Sequence, residues 1–132
     1  MLRKISILSA ALFFLSACAA GMDAEMTPAA AERLAAFTMT GEADNCLSLR
    51  RIDDITPLDD RFWLVETTSG AFYLNEVSAG CNGAASGFTF LQYDTPTGQL
   101  CDGEIVRVYD NNADILRGSC ALGEYQRLVP NR

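Results

Sequence analysis

Two pairs of adjacent carboxylates bracket a proline: Asp53 and Asp54 precede Pro57, and Asp59 and Asp60 follow it. Glycosidases use two carboxyl groups about 5–10 Å apart, one as the acid and the other as the nucleophile or base. Adjacent acids in a loop are far more often solvated turn residues. Because no other pattern in the chain indicates a sugar cleft, we interpret both pairs as turn residues and keep a carboxylate-dependent hydrolase as an alternative.

The side chains that most enzymes use for proton transfer or covalent catalysis are scarce. Histidine is absent from the whole chain, which excludes His-dependent triads and His-ligated metal sites within this polypeptide. The only lysine, Lys4, lies in a segment that we expect to be removed, so Schiff-base chemistry is excluded as well. We therefore predict a non-enzymatic protein with no catalytic residues and no cofactor.

The segment Asp110–Asp114 places oxygen-bearing side chains at alternate positions, as the start of a calcium-binding EF-hand loop does. The match then breaks, because Ile115 stands where a glycine is needed and Ala121 stands where the bidentate glutamate should be. We expect a polar turn between two strands and no metal site, with weak surface binding of divalent cations as the alternative.

The charge of the chain limits its partners. The sequence contains ten basic and 17 acidic residues, so its formal net charge is −7. Nucleic-acid binding requires basic groups that displace counterions from the phosphates, so we exclude nucleic acid as a partner. An acidic surface suits cations, cationic proteins or water.

The first residues are typical of an export signal, with Arg3 and Lys4 followed by an apolar run from Ile5 to Phe14. A run of about ten residues is too short for a membrane span, which needs about 20. The next four residues, Leu15 to Cys18, resemble the lipobox of bacterial lipoproteins. This resemblance implies that residues 1–17 are a signal peptide and that Cys18 is lipidated. An ordinary secretory peptide that happens to contain a cysteine is the alternative.

Lipidation would tether the domain to a membrane without crossing it, since several acyl chains together give stable anchoring. Ala19 stands where enterobacterial lipoproteins retained at the inner membrane usually carry aspartate. The resemblance therefore implies an outer-membrane location facing the periplasm. After removal of residues 1–17, the chain contains eight arginines and 17 acidic residues, and its net charge becomes −9.

The four remaining cysteines are an even set in an oxidising compartment, so we expect two disulfides. Four cysteines allow three pairings, and the sequence does not choose between them. Our expected pairs are Cys81 with Cys101 and Cys46 with Cys120. A zinc site is the competing interpretation, which the absence of histidine and of any CxxC pair disfavours.

The chain after Cys18 divides at about residue 40. Thr27–Phe37 is predicted to be a helix, with Thr27 as its cap and Pro28 at the first helical position. Its narrow apolar stripe, formed by Ala31, Leu34 and Ala35, favours a spacer over a docking helix. We therefore expect a lipidated tether with a short helix over residues 18–40 and a disulfide-linked β domain over residues 41–132.

Short alternating runs separated by turns predict about six strands in the β domain. The clearest signal is a hairpin with Arg61–Thr67 and Ala71–Asn75 on either side of Thr68–Gly70. Asp53–Asp60 is predicted to be a loop, and Gly80–Gly87 a loop held by Cys81. The other predicted strands are Cys46–Ile52, Phe88–Tyr93, Glu104–Tyr109, Ile115–Cys120 and Gly123–Val129.

Such a pattern, without a long helix between strands, predicts a mainly β fold, either a small antiparallel barrel or a sandwich. Alternation places Phe62 and Trp63 on opposite faces of one strand, and Phe88 and Phe90 lie in another. Apolar residues on both faces mean burial on both sides or an exposed aromatic patch for a partner. By alternation, about half of the strand aromatics can be core residues, and for the two apolar faces of the Phe62–Trp63 strand we expect core packing.

The stretch Cys46–Val129 resembles a family of small Gram-negative lipoproteins of unknown function. The resemblance rests on segments that recur in order along the domain: Cys46–Leu49, Asp59–Arg61, Gly80–Cys81, Leu100–Gly103, Ile105–Val108 and Ser119–Gly123. It implies a compact, disulfide-linked lipoprotein domain with four cysteines, and it implies no activity.

These observations favour a membrane-anchored lipoprotein of the cell envelope that acts as a non-enzymatic binding or structural module, with an envelope protein as the expected partner. An inhibitor of a cationic enzyme such as a lysozyme is the first alternative, because an acidic, disulfide-linked, anchored β domain suits that role. The carboxylate-dependent hydrolase is the second.

Overall fold

The computed structural model describes residues 25–132, and antiparallel β-strands dominate this part of the chain. A helix, α1 (Pro28–Leu34), comes first, and a 3₁₀ turn (Leu49–Arg51) follows the second strand. Within the described residues the strands are β1 (Phe37–Asp44), β2 (Cys46–Ser48), β3 (Ile52–Pro57), β4 (Phe62–Thr67), β5 (Phe72–Glu76), β6 (Thr89–Tyr93), β7 (Gln99–Cys101), β8 (Ile105–Asp110), β9 (Leu116–Ala121) and β10 (Tyr125–Pro130).

The strands form three antiparallel sheets. The largest has the order β1-β10-β5-β4-β3, the second has the order β6-β8-β9, and the third pairs β2 with β7. Side chains from all three sheets meet in the largest buried cluster, which includes Trp63 of β4, Leu100 of β7 and Val106 of β8. The predicted mainly β fold with two disulfides is confirmed, and across residues 25–132 the sheets form an open, sandwich-like arrangement instead of a closed barrel.

The predicted hairpin is confirmed, since β4 and β5 pair antiparallel across the turn Thr68–Gly70. Gly70 has a φ of 79°, the left-handed conformation that glycine adopts without steric cost. Phe62 and Trp63 point to opposite faces of β4, and both are buried. The large sheet is therefore covered on both sides at this strand, as core packing requires.

The predicted cap of α1 is also confirmed. Thr27 Oγ1 accepts a hydrogen bond from the Ala30 N–H at 3.3 Å, and Pro28 occupies the first turn, where its missing N–H is harmless. The helix is shorter than predicted, because it ends at Leu34 and Phe37 already belongs to β1.

The buried side of α1 differs from the predicted stripe. Ala30 is fully buried, and Leu34 packs against Phe62 and its neighbours on the outer face of the large sheet, whereas Ala31 and Ala35 are exposed. Residues 30 and 34 share a face because positions four apart lie above one another on a helix. The helix thus docks on the sheet and is not a free spacer.

The predicted domain boundary at residue 41 falls inside β1, which pairs with β10 from Phe37 onward. The part of the expected tether from Met26 to residue 40 is instead folded onto the β domain, because its apolar side chains cover the outer face of the large sheet. The predicted signal peptide, residues 1–17, and the predicted lipidation site, Cys18, lie outside the described residues.

All four predicted cysteines form disulfides, but the predicted pairing is wrong. The structure joins Cys46 to Cys101 and Cys81 to Cys120. The first pair is dictated by strand register, since Cys46 of β2 stands directly opposite Cys101 of β7. Loop lengths cannot reveal this register, because β2 and β7 are only three residues long and carry little sequence pattern of their own.

Close backbone contact brings the second pair together. A Cβ atom on Gly118 would lie 2.0 Å from the carbonyl oxygen of Gly80, so neither residue leaves room for a side chain. Gly80 directly precedes Cys81, and Gly118 lies two positions before Cys120. The loop Gly80–Gly87 therefore lies against β9 and is held there by the disulfide, as the sequence predicted for this loop.

The acidic segment after Arg51 is a strand and not a loop over its first half. Ile52–Pro57 forms β3 at the edge of the large sheet, with a bulge between Ile52 and Asp54. Its alternation is hidden in the sequence because the bulge adds Asp53 and shifts the register. In β8, by contrast, the predicted alternation is confirmed: Val106 and Val108 are buried and Ile105 is exposed.

Candidate binding cleft

An open cleft of about 370 Å³ lies between two sheet edges. One wall is β3, the outermost strand of the large sheet, and the other is β6, the outermost strand of the three-stranded sheet. The cleft therefore lies between the large sheet and the three-stranded sheet, at edges that are not hydrogen-bonded to each other.

The floor of the cleft is apolar. Ile52 and Ile55 of β3 and Leu91 and Tyr93 of β6 line it, and all four are half-buried against the main core cluster. Apolar side chains that are fixed by the core but reachable from solvent are typical of ligand sites. Phe90, which is 41% exposed, extends the apolar lining onto the surface.

The charged residues that line the cleft are Asp53 and Asp54, and both are exposed. Asp54 also lines a depression beside α1, together with Thr56 and Glu66. Asp54 accepts a hydrogen bond from the Thr56 hydroxyl group. Within residues 25–132, neither carboxylate belongs to an ion pair, since the salt bridges there involve Glu76, Asp94 and Asp110. The cleft thus combines an apolar floor with a negative rim.

The two edges offer different backbone groups. The carbonyl of Phe88 accepts from Asn111 on the β8 side, so alternation points the N–H and C=O groups of Thr89, Leu91 and Tyr93 toward the free edge of β6. On β3 the bulge displaces Asp53 and Pro57 has no N–H. Within residues 25–132, β6 is therefore the edge of the two with regularly spaced hydrogen-bonding groups that have no backbone partner.

The second acid pair lies elsewhere. Asp59 and Asp60 line a separate depression beside α1, together with Thr27 and Arg61, and they do not line the β3–β6 cleft. Asp60 accepts a hydrogen bond from the Gly83 N–H at 2.9 Å. The structure therefore does not bring the two predicted carboxylate pairs together in one cleft.

Asp59 is a structural carboxylate. Its Oδ1 accepts from the N–H groups of Arg61 at 2.8 Å and Phe62 at 2.7 Å, and its Oδ2 accepts from Thr27. Burial acts to raise the pKa of Asp59, but these hydrogen bonds outweigh it and hold the pKa below the usual value of 3.8. A general acid requires the opposite shift, which disfavours that role for Asp59.

The acidic segment Asp110–Asp114 is a turn, as predicted. Asp110 Oδ1 accepts from the Asn112 N–H at 2.8 Å, and Asp110 Oδ2 accepts from Arg117 at 3.2 Å. Asp114 has a φ of 50°, which suits the end of a tight turn. In the part of the chain that the structure describes, no group of three or more acidic or cysteine side chains is arranged to hold a metal ion.

Core packing explains only some of the strand aromatics. Phe88, which directly precedes β6, is 66% exposed. Phe90 is 41% exposed on the outer face of the three-stranded sheet, where its ring stacks on that of Tyr109 at 5.6 Å. Alternation predicts burial for about half of the strand aromatics, and this is confirmed: Phe62, Trp63 and Tyr73 are buried, whereas Phe88 and Phe90 are exposed. Of these two exposed residues, Phe90 lines the cleft.

No family model, no curated protein and no solved structure matches this chain. The resemblance to small Gram-negative lipoproteins stays a prediction from the motifs. Among residues 25–132, no helix has the length and hydropathy needed to cross a bilayer.

The sequence did not single out the cleft. Asp53 and Asp54 stand out in the sequence by their carboxylates, whereas Leu91 and Tyr93, across the cleft from them, show only the alternation of a strand. One signal was present: the run Thr89–Tyr93 contains no charged residue and no proline, which is unusual for an edge strand.

Proposed function

We propose that this chain is a lipid-anchored lipoprotein of the cell envelope whose β domain is a non-enzymatic binding module. The lipobox at Leu15–Cys18 supports the anchor, and it implies an outer-membrane location facing the periplasm. The two disulfides, Cys46–Cys101 and Cys81–Cys120, support an oxidising compartment.

The cleft between β3 and β6 is the observation that carries the binding role. It joins an apolar floor to two exposed carboxylates, a combination that can hold a ligand with apolar and cationic groups. A hydrolase is supported less well, because Asp59 is occupied by backbone hydrogen bonds and the second acid pair lies outside the cleft.

An inhibitor of a cationic enzyme is a second candidate function, and the negative rim of the same cleft favours it. Titrating a cationic lysozyme with the full chain separates the two. Stoichiometric, salt-sensitive inhibition would assign the inhibitor role, whereas undiminished lysozyme activity at a tenfold molar excess of the chain would favour binding of a resident envelope component.

The anchor is tested by fractionating a Gram-negative host that expresses the full chain. We expect the wild type in the membrane fraction and the Cys18→Ala variant in the soluble fraction. Ala20→Ser, which changes a residue just outside the lipobox, is the matched control and should stay with the membrane. A wild-type chain found mainly in the soluble fraction would contradict the proposal.

The absence of hydrolysis is tested with cell-wall and glycan substrates. We expect no turnover by the wild type above the rate of an Asp53→Asn/Asp54→Asn double variant. Turnover by the wild type that the double variant loses would replace the binding role with the hydrolase.

A further inference from the structure

We infer that β6 binds an extended, basic peptide segment of an envelope protein, which adds to the three-stranded sheet as a fourth strand inside the cleft. Alternate apolar side chains of this segment pack on Ile55, Leu91 and Tyr93. The intervening lysine or arginine side chains face Asp53 and Asp54 on the opposite wall. This inference names the ligand class of the binding module and therefore rests on the proposed function.

β6 has the features of a strand that accepts a partner. Its residues, Thr89–Tyr93, include no proline, no charge and no bulge, and they pair regularly with β8 along their whole length. The N–H and C=O groups of Thr89, Leu91 and Tyr93 face the free edge, so an added strand finds three residues with correctly spaced hydrogen-bonding groups.

β3 has the features of a protected edge. The bulge at Asp53 interrupts its ladder, Pro57 lacks an N–H, and two carboxylates interrupt its apolar pattern. Charges, prolines and bulges are the devices that prevent pairing at sheet edges. The asymmetry assigns the hydrogen bonding to β6, and it leaves β3 as the charged wall that selects the ligand.

The negative charge of the cleft favours a basic peptide over a second copy of this chain as the occupant. The cleft is lined by two carboxylates, which belong to no ion pair within residues 25–132, and the chain as a whole carries a formal net charge of −7. A second copy of the chain would present another uncharged β6 and the same negative wall, so two copies repel each other at this cleft. A segment with alternating cationic and apolar residues matches both the rim and the floor.

The test uses the full chain, purified in detergent with both disulfides formed, and an eight-residue peptide of alternating lysine and valine. Binding is followed by calorimetry and by hydrogen exchange of the backbone amides. We expect saturable binding, with slower exchange of the Leu91 and Tyr93 amides in the complex. The alternating glutamate–valine peptide should bind at least tenfold more weakly, because its charges face Asp53 and Asp54.

Variants of the chain separate the hydrogen bonds from the apolar contacts. Leu91→Pro removes a free-edge N–H without removing a bond to β8, whereas Leu91→Ala removes the same apolar side chain and keeps the N–H. Leu91→Pro should therefore bind at least tenfold more weakly than Leu91→Ala. If Leu91→Pro does not fold, the same test uses the wild type and a lysine–valine peptide that is N-methylated at its four central residues. This peptide should bind the wild type at least tenfold more weakly than the unmethylated peptide does.

The carboxylates are tested separately. Asp53→Asn/Asp54→Asn should weaken binding of the lysine–valine peptide about three- to tenfold, as expected for two exposed charge pairs. Asp102→Asn, an exposed acid on a turn outside the cleft, is the matched control and should leave the affinity unchanged.

Equal binding of the lysine and glutamate peptides, or unchanged binding of the N-methylated peptide, would overturn the inference. Dimers that form through β6 and exclude the peptide would overturn it as well, in favour of self-association. These outcomes do not depend on Cys18, so failure of the peptide test is distinguishable from failure of the membrane anchor.

Discussion

Asp59 accepts two hydrogen bonds from Thr27, which lies 32 positions earlier in the chain: one from its N–H at 3.0 Å and one from its hydroxyl group at 3.2 Å. The other oxygen of the same carboxylate accepts from the N–H groups that lead into β4. A single buried side chain thus joins the cap of α1 to the large sheet. This junction explains why residues expected to form a tether are part of the folded domain.

Replacing Asp59 by alanine should lower the free energy of unfolding by about 1–3 kcal/mol, because the substitution leaves the backbone N–H groups of Arg61 and Phe62 without acceptors. Urea denaturation of the two proteins measures the change. Asp102→Ala, at an exposed turn, is the control and should stay within about 0.5 kcal/mol of the wild type. An equal effect of both substitutions would contradict the role of Asp59.

The lowered pKa of Asp59 also predicts a pH dependence. The unfolded chain, in which the carboxyl pKa has its usual value of 3.8, binds this proton more tightly than the folded chain, so the stability that Asp59 contributes is fully present above the unfolded pKa. It is lost as the pH falls through the folded value. We expect the stability difference between the wild type and Asp59→Asn to be constant above about pH 5 and to shrink below about pH 4. A difference that grows on acidification would contradict this assignment.

The two disulfides should differ in their resistance to reduction. Cys46 is exposed and Cys101 is half-buried, whereas Cys81 and Cys120 are 0% and 3% exposed. A mild reductant at neutral pH should therefore open Cys46–Cys101 first, and Cys81–Cys120 should open only when the core unfolds. Alkylation followed by peptide mass spectrometry identifies the order. Earlier labelling of Cys81 or Cys120 would show that the core opens more readily than its burial implies.

Two neighbouring tyrosines, Tyr125 and Tyr73, allow a comparison of how a hydroxyl group contributes to the free energy of unfolding with and without a hydrogen-bond partner. Tyr125 is fully buried, and its hydroxyl group has no hydrogen-bond partner among the described residues, whereas the Tyr73 hydroxyl accepts from Arg127 at 3.2 Å. Burial, with Glu104 and Tyr93 adding to it, raises the pKa of Tyr125 above the usual range.

Tyr125→Phe should therefore leave the free energy of unfolding unchanged or raise it by up to about 1 kcal/mol, since it removes an unpartnered polar group from the core. Tyr73→Phe should lower it by about 0.5–1.5 kcal/mol, because one hydrogen bond is lost. Thermal and urea denaturation measure both. A larger loss in Tyr125→Phe than in Tyr73→Phe would mean that the Tyr125 hydroxyl has a partner in solution.

Local sequence patterns predict the structure correctly where neighbouring residues determine it. The Thr68–Gly70 hairpin, the cap at Thr27 and the alternation around Val106 each follow from turn chemistry, capping or a period of two. The mainly β class follows from the succession of such short runs.

Long-range pairing was not accessible from local pattern. The partner of Cys46 depends on the register between β2 and β7, and the partner of Cys81 depends on the contact between Gly80 and Gly118. The cleft is a third case, because it exists only where β3 and β6 end their respective sheets. Edge position is a property of the assembled sheets, so Asp53 and Leu91 could not be placed together in advance.

The proposed lipid anchor of this chain is tested most directly by the mass of its N-terminal peptide after recovery of the full chain from bacterial membranes. We expect this peptide to begin at Cys18 and to carry a diacylglyceryl group on its sulfur and an acyl chain on its amino group. A peptide that begins elsewhere, or a Cys18 with a free thiol in a chain recovered from the cytosol, would contradict it.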